Sequence, residues 1–92
     1  MEQLVVKWDI GVSSPVSPDE GLPEAPEIPR GSLVVVGGRA PIWRVAMALH
    51  HLHGSPAAAV ATYDPRLGAV VVASHSPDWS EGQVVEDVSW DS

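Results

Sequence analysis

Four apolar residues in succession, Leu33-Val34-Val35-Val36, are stopped by Gly37-Gly38, and a helical pattern follows at once. An unbroken apolar run of this kind predicts a central strand covered on both faces, as in parallel sheets. The two glycines allow a sharp turn out of the strand and a close approach of backbone to a ligand. Pro41 suits the first position of a helix. From Pro41 to His53, residues Ile42, Val45, Ala46, Leu49 and Leu52 recur at helical spacing and predict its buried face. Gly54 suits the position just past the helix, and Pro56 bars continuation.

The flanking segments complete a sheet. Leu4–Ile10 predicts a first strand, with Lys7 and Asp9 sharing its wetter face. Ala57–Thr62 predicts a strand parallel to Leu33–Val36, reached by a right-handed crossover. Ala69–Ser74 returns antiparallel to it through Tyr63–Gly68. Gln83–Val88 predicts an edge strand blunted by charge, followed by a polar tail, Ser89-Trp90-Asp91-Ser92. Trp79 and Trp90 are expected to cap the core or an interface. Between the first two strands, Gly11–Ser32 carries five prolines, at 15, 18, 23, 26 and 29. Proline at that density prevents a helix or ladder. The stretch predicts an extended connector that wraps the surface or moves, or alternatively a proline motif for a partner. The elements sum to a single α+β domain over residues 1–92: a mixed sheet of about five strands with one main helix around a β-α-β core.

Composition narrows the function. A chain of 92 residues buries only about 60–65% of its unfolded surface, so oligomerisation is a natural supplement to a thin core. Cysteine is absent, which removes disulfide frameworks, thiolate metal sites and cysteine nucleophiles together. The start, Met-Glu-Gln-Leu, has no basic region like that of a signal peptide. No apolar run approaches the roughly 18 residues needed to span a membrane. The expected location is cytoplasmic, with no membrane partner. The net charge of −7 argues against a long nucleic acid as the main partner, but not against a small nucleotide held by a few local cations. The basic residues are Lys7, Arg30, Arg39, Arg44 and Arg66.

Three stretches carry candidate chemistry. In Tyr63-Asp64-Pro65-Arg66-Leu67-Gly68 a carboxylate stands two residues from a guanidinium, a pair that can serve a metal and a phosphate. The same Asp-Pro also opens turns, because its side chain accepts backbone N–H bonds, and Arg66 could then be a solvated charge. Gly37-Gly38-Arg39-Ala40-Pro41 leads a strand into a helix N-terminus, whose free N–H groups favour an anion, with Arg39 beside it. It matches neither a P-loop nor a dinucleotide fingerprint, and a plain strand-to-helix turn would look alike. His50, His51 and His53 end the helix, where a protonated imidazole is favoured by the dipole. Positions 50 and 53 share a face and can ligate a metal together, while 51 points elsewhere. His75 adds a further imidazole in the loop Ser74-His75-Ser76-Pro77.

Taken in order, Gly37-Gly38-Arg39-Ala40-Pro41-Ile42-Trp43, then Tyr63 through Val72, then Ala73-Ser74-His75-Ser76, closely resemble the small CRISPR-associated ring nucleases of type III systems. The resemblance covers roughly Leu33 to Ser76. It implies a homodimer with a Rossmann-like core that cleaves cyclic tetra-adenylate to linear di-adenylate with Mn²⁺, a step in antiviral defence. It further implies that two dimers sandwich the ring and that catalytic groups come from both sides. The family's essential Asp and Arg correspond to Asp64 and Arg66, with Asp64 as metal ligand. The family's important His, just before the strand leading into that Asp-Pro-Arg motif, corresponds most nearly to His53, although Gly54-Ser55-Pro56 intervenes before the strand; His50 and His51 are alternatives. Gly38, Arg39, Ser74 and His75 would then bind substrate. The same fold admits a module that binds cyclic oligoadenylate without cutting it. It also admits a manganese-dependent exonuclease acting on RNA 3′ ends, against which the acidic charge argues.

Overall fold

A computed structural model describes residues 4–90. Strands β1 (Val5–Asp9), β2 (Leu33–Gly37), β3 (Ala59–Asp64), β4 (Gly68–Ser74) and β5 (Val84–Val85) form one sheet in chain order, and helix α1 (Ile42–His51) lies between β2 and β3. The first three strands run parallel, and β3–β4 and β4–β5 pair antiparallel. This is the expected mixed α+β sheet with one main helix. Met1–Gln3 and the Asp91-Ser92 end of the expected tail lie outside the described residues. No helix among the described residues is long and apolar enough to cross a membrane.

All five residues of β2 are buried, as an unbroken apolar run requires. On one face, Val34 and Val36 join Trp8, Ile10, Ala48 and Leu52 beneath α1. On the other, Leu33 and Val35 join Ala61, Val71, Trp79 and Val88. The helix therefore covers one side, and the segment after β4 covers the other. The proline-rich stretch is a wrap: Leu22, Ala25 and Ile28 pack against the helix-side core. Its one regular turn, Pro18–Glu20, is closed by Glu20, whose carboxylate accepts from Ser17 N–H at 2.7 Å.

The helix sits rotated from the face that spacing predicts. Ile42 is 86% exposed and Ala46 is exposed, whereas Arg44 and Ala48 are buried. Arg44 explains the rotation. Its Nε donates to Ile10 O at 2.7 Å and its Nη1 to Gly21 O at 3.0 Å. One guanidinium thus ties α1 to the end of β1 and to the wrap. Arg44→Met keeps the aliphatic stem but strips both carbonyls of their donor. The expected loss is about 3 kcal/mol, a fall in Tm of about 12–24 °C for a chain of this size. A thermal melt within about 4 °C of wild type would show that the helix does not depend on this clamp.

The last strand is shorter than Gln83–Val88. Only Val84 and Val85 pair, with Val70 and Ala69. Beyond them the chain leaves the edge, because Val88 turns under the sheet into the core and Trp90 lies across Gly37. A Cβ at Gly37 would stand 2.9 Å from the Trp90 ring, so this glycine is there to admit an indole. On the helix side, α1 leaves β4 and β5 uncovered, and Val72 and Val84 are exposed there.

Candidate active site

The carboxyl ends of β2 and β3 and the start of α1 meet at one end of the sheet, where open α/β sheets commonly bind ligands. Gly38 has φ +103, which disfavours any side chain. A Cβ there would lie 2.3 Å from Asp9 Oδ1 and 2.7 Å from Gly11 N. The space beside Gly38 is therefore filled by the end of β1 and not left open to a ligand. Gly11 N–H donates to Asp9 Oδ1 at 2.8 Å and Val12 N–H to Arg39 O at 2.8 Å, which holds this neighbour in place. Arg39 itself is exposed, and among the described residues its side chain makes no hydrogen bond or ion pair. Pro41 is the N-cap, so the helix starts at Ile42, one residue later than a proline at the first helical position predicts. Arg44 N and Val45 N both donate to Pro41 O, leaving the N–H groups of Ile42 and Trp43 ahead of them. Free N–H groups at a helix start favour an anion.

The β3–β4 turn stands beside this end. Asp64 Oδ1 accepts from Arg66 N at 2.7 Å and from Leu67 N at 3.2 Å, so the turn role expected of Asp-Pro is realised. Oδ2 takes part in no hydrogen bond among the described residues. Arg66 Nε lies 3.8 Å from Asp64 Oδ1, and its side chain is 88% exposed. A solvated pair at that distance contributes little to stability, so the guanidinium keeps its capacity for a phosphate. Gly68, at φ +105, returns the chain into β4. Between the turn and Arg39 lies a cleft of about 380 Å³ lined by Gly38, Arg39, Tyr63, Pro65 and Trp90. Sequence reasoning missed Tyr63 and gave Trp90 only a capping role. The available signal for Tyr63 was its place at the end of β3, next to the charged turn.

The histidines stand at the opposite end. The His53 and His75 rings lie 6.1 Å apart, centroid to centroid, tilted by 55°. With His50, Leu49, Val60 and Val72 they line a groove of about 350 Å³. Ser74 is committed to a turn: its Oγ donates to Ser76 O at 2.8 Å and accepts from Ser76 N at 3.1 Å. His51 packs instead on Trp8, with centroids 5.6 Å apart. The expected site residues thus form two groups, Gly38, Arg39, Asp64 and Arg66 at one end and His53, Ser74 and His75 at the other. The length of β3 separates them, about 16 Å. One chain does not bring His53 to Asp64.

Among the described residues there is no group of three or more His, Cys, Asp or Glu side chains placed to hold a metal. A resident, protein-enclosed site does not fit one chain. A single carboxylate oxygen, Asp64 Oδ2, does fit a hard divalent ion that keeps water and phosphate oxygens as its other ligands.

A family model described as CRISPR-associated protein (Cas_csx3) matches residues 10–86. A relative from Aquifex aeolicus (strain VF5), described as an uncharacterized protein, is 43% identical over 56 residues, covering 60% of this chain and 49% of the relative. The chain thus spans about half the length of that relative.

Proposed function

The chain belongs to the CRISPR-associated family Cas_csx3, and from that premise we propose that it is a ring nuclease. In this reading it is a manganese-dependent phosphodiesterase. It opens cyclic tetra-adenylate to linear di-adenylate in the cytoplasm and so ends type III CRISPR signalling. The observation that carries the reading is the Asp64 turn: one carboxylate oxygen holds the turn, the other is uncommitted, and Arg66 stands beside it, held only by a solvated 3.8 Å pair. Arg39 and the start of α1 add anion-binding groups at the same end.

The chemistry assigned to these residues is simple. Arg66 pairs with the non-bridging phosphate oxygens, and a guanidinium does this bidentately. Charge neutralisation there matters most as the oxyanion develops. As the oxygen of a water molecule or of the neighbouring ribose 2′-hydroxyl bonds to phosphorus, a histidine protonates the ribose oxygen whose bond to phosphorus breaks, which imidazole does well near neutral pH. Manganese, held with the phosphate by Asp64 Oδ2, would supply further charge neutralisation. His53, with His75 beside it, is the candidate proton carrier, and its distance from Asp64 requires that it come from another subunit. Two dimers facing each other across the ring provide that arrangement. The thin core, together with exposed Ile42, Met47, Val72 and Val84, supports self-association.

A non-cleaving binding module is the second reading, favoured by the separation of His53 from Asp64 in one chain. Incubating the protein with cyclic tetra-adenylate, with and without Mn²⁺, and resolving the products by chromatography tests both. Linear di-adenylate formed only with Mn²⁺ is the expected result. A ring retained intact on the protein supports the binding module, and no retention at all overturns both readings. Shortening of linear RNA from its 3′ end with the ring left intact would instead favour the exonuclease.

A further inference from the structure

The cleft beside Asp64 contains two aromatic rings that the proposed chemistry leaves unused. Tyr63 and Trp90 lie 5.5 Å apart, centroid to centroid, with their planes inclined by 31°. That spacing is within the range of favourable aromatic pairing, so the two rings support each other and any base stacks beside the pair, not between its members. Trp90 is held from two sides. Gly37 makes room for its edge, and Lys7 reaches over it, with Nζ 5.9 Å from the ring centroid and donating to Ser89 O. Both rings are only half-buried and line the cleft with Arg39 and Pro65. At about 380 Å³ the cleft is at the small end of ligand pockets, about 300–1,000 Å³. It suits part of an oligonucleotide and not a whole ring.

Charge makes this cleft more than a packing detail. The chain carries a net −7 and five basic residues. Arg44 is spent on two backbone carbonyls inside the protein. Only Lys7, Arg39 and Arg66 stand at this end of the sheet. Phosphate neutralisation by so few cations supplies a limited share of oligonucleotide affinity. Stacking of bases on aromatic rings is the other general source, and it does not depend on net charge.

We propose that Tyr63 and Trp90 form a stacking platform for one nucleobase, with Arg39 taking an adjoining phosphate. The proposal rests on the ring-nuclease reading and deepens it, because a base held beside Tyr63 places its backbone next to Asp64 and Arg66. It also gives Lys7 a role, as the residue that fixes the orientation of Trp90. Lys7 and Trp90 lie outside residues 10–86, the stretch that the family model matches. The platform is therefore built partly from residues beyond that stretch.

The test is calorimetric titration with cyclic tetra-adenylate in metal-free buffer, using wild type, Tyr63→Leu, Trp90→Leu and Tyr63→Phe, each with a thermal melt alongside. Each Leu variant is expected to weaken binding by about 5- to 150-fold, the loss of one stacking contact. Tyr63→Phe keeps the ring and should bind as wild type does. Because Trp90→Leu could loosen the chain end, a second measurement uses an unperturbed ring. In an NMR titration of wild type, the Trp90 indole N–H resonance, assigned by its loss in Trp90→Phe, should shift as the ring compound is added. Leu variants that stay folded and bind as tightly as wild type, or a Trp90 resonance that does not move, overturn the platform while leaving ring cleavage intact. Failure of wild type to bind cyclic tetra-adenylate at all overturns the platform and the ring-nuclease reading together.

Discussion

Asp64→Asn is expected to lower ring cleavage by about 10²–10⁴-fold while leaving the melting temperature where it is. The structure separates the two roles of this side chain. Oδ1 accepts from the backbone N–H of Arg66 and Leu67 and so holds the turn. An asparagine offers the same oxygen to the same donors, so the hairpin keeps its geometry. It lacks the negative charge that a metal ion would meet at Oδ2. Asp64→Ala differs in a useful way, because it also removes the turn acceptor. It should lose activity and about 0.5–2 kcal/mol of stability together, as lost capping bonds do. Initial rates with Mn²⁺ and a thermal melt on each variant separate the cases. Full activity in Asp64→Asn would reduce this residue to a turn former.

Much of the fold was legible because its signals are local. The run Leu33–Val36 announced a strand buried on both faces, and all of β2 is buried. Gly68 announced the return from the turn, and it does adopt positive φ. What escaped the sequence depends on partners distant along the chain. Helical spacing placed Ile42 on the buried face, yet Arg44 takes that side because it finds Ile10 O and Gly21 O, 34 and 23 residues away. Gly37 and Gly38 suggested room for a ligand. They instead admit Trp90 and the end of β1, a distinction that composition cannot make. The expected last strand was shortened for a similar reason: Val88 gains more by burial under the sheet than by pairing at its edge.

The candidate site was half legible. The turn role of Asp64 was legible, because a few adjacent residues specify it. The grouping of His53 with His75 was not, because it arises where β3 begins beside the end of β4. That grouping also carries the main mechanistic consequence. If His53 and Asp64 serve one reaction, the length of β3 between them means they do so from different subunits.

Mixing Asp64→Asn protein with His53→Ala protein tests that claim most directly. Each alone should be nearly inactive toward cyclic tetra-adenylate with Mn²⁺. In a mixed assembly, the intact His53 of one dimer faces the intact Asp64 of the other. An equimolar mixture should therefore recover about a quarter of wild-type turnover, since half of the assemblies pair unlike dimers and half of the sites in each are complete. A mixture as inactive as its two components, while wild type cleaves the ring, would contradict a site assembled between subunits.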